Sequence, residues 1–251
     1  MKVIGCIPAR YASSRFPGKP LALIKGKPMI QWVCEGVSES RRLTGLMVAT
    51  DDDRIAEVVK KAGFPVQMTD ASCATGTDRI YQAVQRSGIK ADVVVNIQGD
   101  EPLVNGPLID SLVEPLIEEE HLEMSTLAHE ILWQDLDSPN VVKVIVNLAS
   151  EAIYFSRFPI PYSGTRDAHE VQSRNLSQKP ACLRHIGLYA YRIDFLGRYC
   201  RQQPLGIETA EALEQLRALG MGARIKVVKV LQQSWGVDTP EDLAKVEALI
   251  E

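Results

Sequence analysis

Ile7-Pro8-Ala9-Arg10-Tyr11-Ala12-Ser13-Ser14-Arg15-Phe16-Pro17-Gly18-Lys19-Pro20-Leu21 is a polar, cationic loop laid directly on the end of an apolar run. The residues before it, Lys2 to Ile7, are short, apolar and partly β-branched, which predicts a buried first strand that stops where Pro8 removes a ladder donor. Arg10, Arg15 and Lys19 then stand among small residues such as Ala12, Ser13, Ser14 and Gly18. Forked donors, a point charge and accessible backbone N–H groups in one loop are what an oligophosphate requires.

Charge supports the same reading. The first 34 residues hold six bases (Lys2, Arg10, Arg15, Lys19, Lys25, Lys27) and no acid, in a chain of net charge −4. A local excess against the global sign asks for an anion. Two other phosphate loops are excluded by spelling: Gly18-Lys19-Pro20 cannot complete a Walker loop, because Pro20 keeps Lys19 out of helical space, and no GxGxxG follows the first strand.

The 251 residues suffice for one α/β domain, with 45% hydrophobic and 24% charged residues. A pI near 5.7 argues against a general nucleic-acid binder. Five scattered cysteines without a CxxC pattern suggest reduced thiols, and no run is long enough to span a membrane or act as a leader. A cytoplasmic protein is expected.

Pro28 suits a first helical position, followed by the stripe Met29, Ile30, Val33 and Val37. Strands are predicted at Leu46–Thr50 and Phe64–Met68. Between them, Asp51-Asp52-Asp53 has the chemistry of a metal site, but its place before Ile55, Val58 and Val59 predicts a helix cap. Thr77 is predicted to cap a third helix, whose glycine-preceded start suits an anion or a nucleotide edge. This alternation predicts a parallel, doubly wound sheet with ligands at the carboxyl ends of its strands. Asp92–Ile97 is the most strand-like run and is expected at the centre. Beyond it Asp100 projects toward the basic loop, where its carboxylate suits a divalent metal, with Glu101 as a secondary candidate.

Strands of an antiparallel pair are expected at Val141–Val146 and Ala152–Phe155, and Ser163 to Lys179 reads as a mobile loop of balanced charge. In Leu183–Tyr191, His185, Gly187 and Tyr189 share one face. Glu208, Glu211, Leu213, Leu216 and Leu219 are expected on one helix, with the glutamates facing water. Thr239, Pro240 and Asp242 complete a helix start by themselves, which leaves the Asp238 carboxylate available as a second acid.

IPARYASSRFPGKPL, VATDD, GTDR, NIQGDEPL, FSR, RHIGLYAYR, LEQLR and GVDTPEDL occur in order along the whole chain. Together they closely resemble the 3-deoxy-manno-octulosonate (Kdo) cytidylyltransferase family of lipopolysaccharide biosynthesis. The resemblance implies transfer from CTP to Kdo, giving CMP-Kdo and pyrophosphate, with Mg2+. It also implies a Rossmann-like α/β fold over residues 1–251, in which about 123–200 form a smaller antiparallel lobe for sugar binding and homodimerisation. By the same resemblance Arg10, Ser13, Arg15 and Lys19 hold the triphosphate; Ala9, Gly76, Thr77 and Gln98 bind the nucleoside; Asp100 and Asp238 ligate magnesium; and Arg157, His185, Tyr189, Glu211 and Gln215 line the sugar pocket. The chain departs from the pattern at Asp78, where glutamate is expected, and at Thr209, where a histidine is common. Those departures open the 8-amino analogue of Kdo as an alternative sugar. A sialic-acid or other nonulosonic-acid enzyme, and a non-catalytic nucleotide-binding regulator, are the competing readings.

Overall fold

The computed structural model describes residues 1–12, 16–162 and 180–250. Ser13, Arg15 and the stretch from Ser163 to Lys179 therefore lie outside the described residues. The frame is a set of parallel strands: β1 (Val3–Ala9) lies between β4 (Gly45–Thr50) and β6 (Val93–Asn96), with β5 (Val66–Met68) beyond β4. β6 is thus central, as its apolar character predicts, and all four of its residues are buried. On its other side β10 (Leu183–Arg192) runs antiparallel, followed by β7 (Met124–Glu130) and β11 (Ile225–Lys229).

The first helices on this sheet are α1 (Met29–Ser38), α2 (Asp53–Lys61), α3 (Gly76–Ser87) and α4 (Gly106–Glu118). Ile30, Val33, Ile55, Val59, Leu112 and Leu116 from α1, α2 and α4 fill one face of the sheet. The other face is covered by Ile80 and Val84 of α3 with α5 (Ile193–Arg201) and α7 (Gln215–Gly220), while α6 (Gly206–Glu211) packs on α7. Both faces are covered, so the sheet is doubly wound. The chain passes from β1 outward through β4 and β5 and returns to β6 on the opposite side, which opens a crevice at the carboxyl ends of β1 and β6.

Local chemistry corrects several sequence expectations. Pro8 does not end β1, which continues to Ala9 opposite Thr50. The Cys6 carbonyl accepts from Ile97 N–H, so Pro8, two residues on, faces the same side, where the β6 ladder has already stopped at Cys6 opposite Asn96. Its missing donor costs nothing there. Pro28 stands at the cap of α1, at the end of the short hairpin β2 (Leu23–Ile24) and β3 (Lys27–Pro28). Asp52 caps α2, as expected of the acidic run. Thr77 is not the cap of α3: Thr75 is, in a reciprocal capping box with Asp78, which places Gly76 and Thr77 in the first turn.

The expected antiparallel pair is present as β8 (Lys143–Val146) and β9 (Ala152–Ser156), with β8 also pairing with the start of β10. β10 makes a bulge between Ile186 and Tyr189. Residues 208–219 do not form one helix: Ala212 adopts a left-handed conformation (φ 51°) that separates α6 from α7. The last helix, α8 (Pro240–Leu249), starts with the predicted Thr239–Asp242 capping box.

Candidate active site

The crevice is built where β1 ends. Arg10 follows Ala9 there, and the Gly18 N–H donates to the Tyr11 carbonyl at 2.9 Å, so Arg10 and Lys19 leave the two stems of one closed turn. Gly18 has φ 71°, a conformation that favours glycine, and Pro20 is the second residue of the short 3-10 turn Lys19–Leu21. Lys19 Nζ lies 2.6 Å from Asp100 Oδ2 and 3.3 Å from Asp238 Oδ1. The Val237 N–H donates to the Asp100 carbonyl at 2.9 Å, which fastens the Asp238 segment to the loop after β6. Three sequence-distant residues therefore meet at one point. Two carboxylates and one ammonium leave one net negative charge, and an all-oxygen pair suits magnesium, which commonly takes one or two carboxylates and completes its shell with water and substrate phosphates.

Glu101 follows Asp100 and is hemmed in by protein while keeping some accessible surface, which describes a group lining a recess. Burial and the neighbouring Asp100 charge push its pKa up to about 7.

In the loop expected to bind the nucleoside, Asp78 is occupied by capping: its Oδ2 accepts from the Thr75 N–H at 3.2 Å. The side chain of Thr77 donates to Glu214 Oε2 at 3.1 Å and accepts from Asn96 Nδ2 at 3.3 Å. Gln98 Nε2 donates to the Gly187 carbonyl at 3.1 Å, joining the end of β6 to the bulge of β10. Neither Glu214 nor Asn96 is singled out by the sequence. Glu214 sits at the start of α7, and only the break at Ala212 turns it toward Thr77. Burial raises its pKa.

The residues expected to line a sugar pocket divide into two groups. Glu211 accepts from Ser156 Oγ at 2.7 Å, Tyr154 OH at 3.3 Å and the Arg157 N–H at 2.9 Å. Arg157 donates from its guanidinium to the carbonyls of Glu211, Pro139 and Ala212 at 3.0, 2.9 and 3.4 Å. This pair fastens β9 to the turn between α6 and α7, so Glu211 does not simply face water as the sequence suggests. Nor does Glu208, which is buried against Arg217, whose Nε donates to its Oε2 at 2.9 Å.

His185 and Tyr189 form the second group, with ring centroids 5.5 Å apart and Phe155 edge-on to His185 at 4.9 Å. Thr126 Oγ1 donates to the Leu188 carbonyl at 2.8 Å, so its 2.9 Å contact with His185 assigns the imidazole proton to Nε2 and leaves Nδ1 an acceptor. Burial drives the His185 pKa down to about 3, yet the residue is only half-buried. It lines a concavity rather than the solid core. Gln215 is 4% exposed, and its Nε2 has no hydrogen-bond partner; the same holds for Oδ1 of Asn96.

A model of the family described as cytidylyltransferase matches residues 4–225. The 3-deoxy-manno-octulosonate cytidylyltransferase of Bdellovibrio bacteriovorus is 50% identical over 250 residues, covering 100% of this chain and 98% of that protein. The chain belongs to the 3-deoxy-manno-octulosonate cytidylyltransferase family. The family member from Geobacter sulfurreducens is 47% identical, with 98% of each chain covered. A solved structure described as CMP:2-keto-3-deoxy-manno-octonic acid synthetase complexed with CTP superposes with a TM-score of 0.90 at 39% identity, over 100% of this chain and 98% of that one. A cytidylyltransferase from Leptospira borgpetersenii, at 17% identity and a TM-score of 0.65 over 100% of this chain and 87% of its own, shares the fold.

Proposed function

We propose that this chain transfers the cytidylyl group of CTP to Kdo and releases pyrophosphate. The observation that carries the reading is the meeting of Lys19 with Asp100 and Asp238 at the switch-point crevice, in a chain of this family. Arg10 and Lys19, together with Ser13 and Arg15, bind the triphosphate; Ala9, Gly76, Thr77 and Gln98 bind the nucleoside. Asp100 and Asp238 hold Mg2+, which when bound supplies charge neutralisation on the phosphates. The anomeric hydroxyl of the sugar attacks the α-phosphorus in line, and the chain's own residues act by positioning and by preorganised charge, without a covalent intermediate.

His185, Tyr189 and Gln215 face the sugar. Arg157 and Glu211 serve that pocket through the wall they hold together. The lobe of about 123–200 carries this pocket and the homodimer face. Ile153 on β9 and Phe158 and Tyr162 just after it, 58, 75 and 82% exposed respectively, are the apolar side chains this lobe offers for that face. All five cysteines are free, which suits the cytoplasm.

The departures from the family pattern do not favour the 8-amino analogue: Asp78 completes the Thr75 capping box of α3, and Thr209 is exposed and donates to the Leu205 carbonyl. Pyrophosphate release with CTP and Mg2+ tests the assignment against Kdo, its 8-amino analogue and sialic acid. Release with Kdo far above the others is expected. Preference for sialic acid, or no release with any of the sugars, overturns it.

A further inference from the structure

The first two acids after β4 are both paired. Asp51 Oδ1 lies 3.2 Å from the buried Arg79 guanidinium, and Asp52 is taken up by Arg54. The second pair reaches the cationic turn. Asp52 Oδ1 accepts from both the backbone N–H and Nε of Arg54, each at 3.0 Å, while Oδ2 accepts from Nη2 at 2.6 Å. A guanidinium gripped along one edge has a fixed plane. Its central carbon stands 3.3 Å from the centroid of the Tyr11 ring. The same ring packs on Gly18, where an added Cβ would lie 3.1 Å from two ring carbons, and the Tyr11 carbonyl accepts the Gly18 N–H. Tyr11 and Gly18 are the immediate chain neighbours of Arg10 and Lys19.

We infer that Arg54, oriented by Asp52, is a positioning residue for the triphosphate: by stacking on Tyr11 it fixes the turn from whose stems Arg10 and Lys19 project. This rests on reading that turn as the CTP phosphate site. The contacts of the Arg54 guanidinium are Asp52 along its Nε–Nη2 edge and the Tyr11 ring against its flat face. The Arg54 side chain is 58% exposed, so truncation leaves the core intact.

Titration calorimetry of CTP with Mg2+ on Arg54→Met, Tyr11→Leu and the double variant tests this, together with hydrogen exchange at the Gly18 amide. Each single variant is expected to weaken CTP binding about twofold to fivefold, the range of a cation–π contact at an exposed site. The double variant should be no weaker than the worse single one, as for two halves of one contact. At saturating CTP kcat should stay within about twofold, and the Gly18 amide should exchange faster in Arg54→Met. Normal CTP affinity in Arg54→Met, or additive losses in the double variant, overturns the clamp. Arg10→Ala separates the two readings: weakened binding there with none in Arg54→Met removes only the clamp, whereas normal binding in Arg10→Ala removes the phosphate turn on which it rests.

Discussion

Lys19 Nζ lies 2.6 Å from Asp100 Oδ2, across 81 residues of sequence. The contact joins the loop after the first strand to the loop after the central one, and so spans the crevice where the sheet changes direction. Asp238 reaches the same ammonium from near the end of the chain.

Removing that ammonium leaves two carboxylates facing each other and takes a preorganised donor from the phosphates. Lys19→Ala should raise the barrier to transfer by about 2–4 kcal/mol, seen mainly as a fall in kcat. Steady-state pyrophosphate release measures it; an unchanged rate would place Lys19 outside the reaction.

The sign of a pH effect follows from His185. Its pKa is near 3 in the fold, against an ordinary value of about 6.5, because burial disfavours the imidazolium. Between those values the unfolded chain binds a proton that the folded chain does not, so stability falls as pH falls. Between pH 7 and 5 this residue should cost the protein about 2 kcal/mol. Urea midpoints of wild type and His185→Gln at both pH values test it: the wild type's advantage at pH 7 should shrink by that amount at pH 5. A gap that does not change with pH would show that the imidazole titrates normally in the fold.

Glu208 and Arg217 form a buried ion pair beneath Tyr199, whose ring centroid lies 4.6 Å from the Arg217 guanidinium carbon. Glu208→Ala leaves that guanidinium buried without its carboxylate and should lower unfolding stability by about 3–5 kcal/mol. Chemical denaturation reads this directly. A loss below about 1 kcal/mol would mean the pair behaves as a surface bridge.

Periodicity and caps made most of this fold legible. The β1 loop, the central strand, the β8–β9 pair and the Thr239 capping box all follow from patterns a few residues long. What stayed hidden depends on distant contacts. Nothing local in the sequence tells that Pro8 faces a vacant side of its ladder, or that Ala212 goes left-handed and breaks a good helical stripe. Nor does it tell that a Cβ on Gly36 would collide with the Val104 carbonyl, the close approach that seats the loop carrying Asp100 against α1. The site divides the same way. Asp238 emerged because its helix start was complete without it, whereas the link from Glu214 to Thr77 needed the fold.

Asp100 and Asp238 are expected to serve one reaction centre with Lys19. Rapid-quench single turnover of labelled CTP with Kdo and Mg2+ tests it most directly, on the wild type, Asp100→Asn and Asp238→Asn. Both variants should still bind CTP, with only modest loss, and should transfer the cytidylyl group at least about a hundredfold more slowly. Transfer at the wild-type rate by either variant would contradict the account.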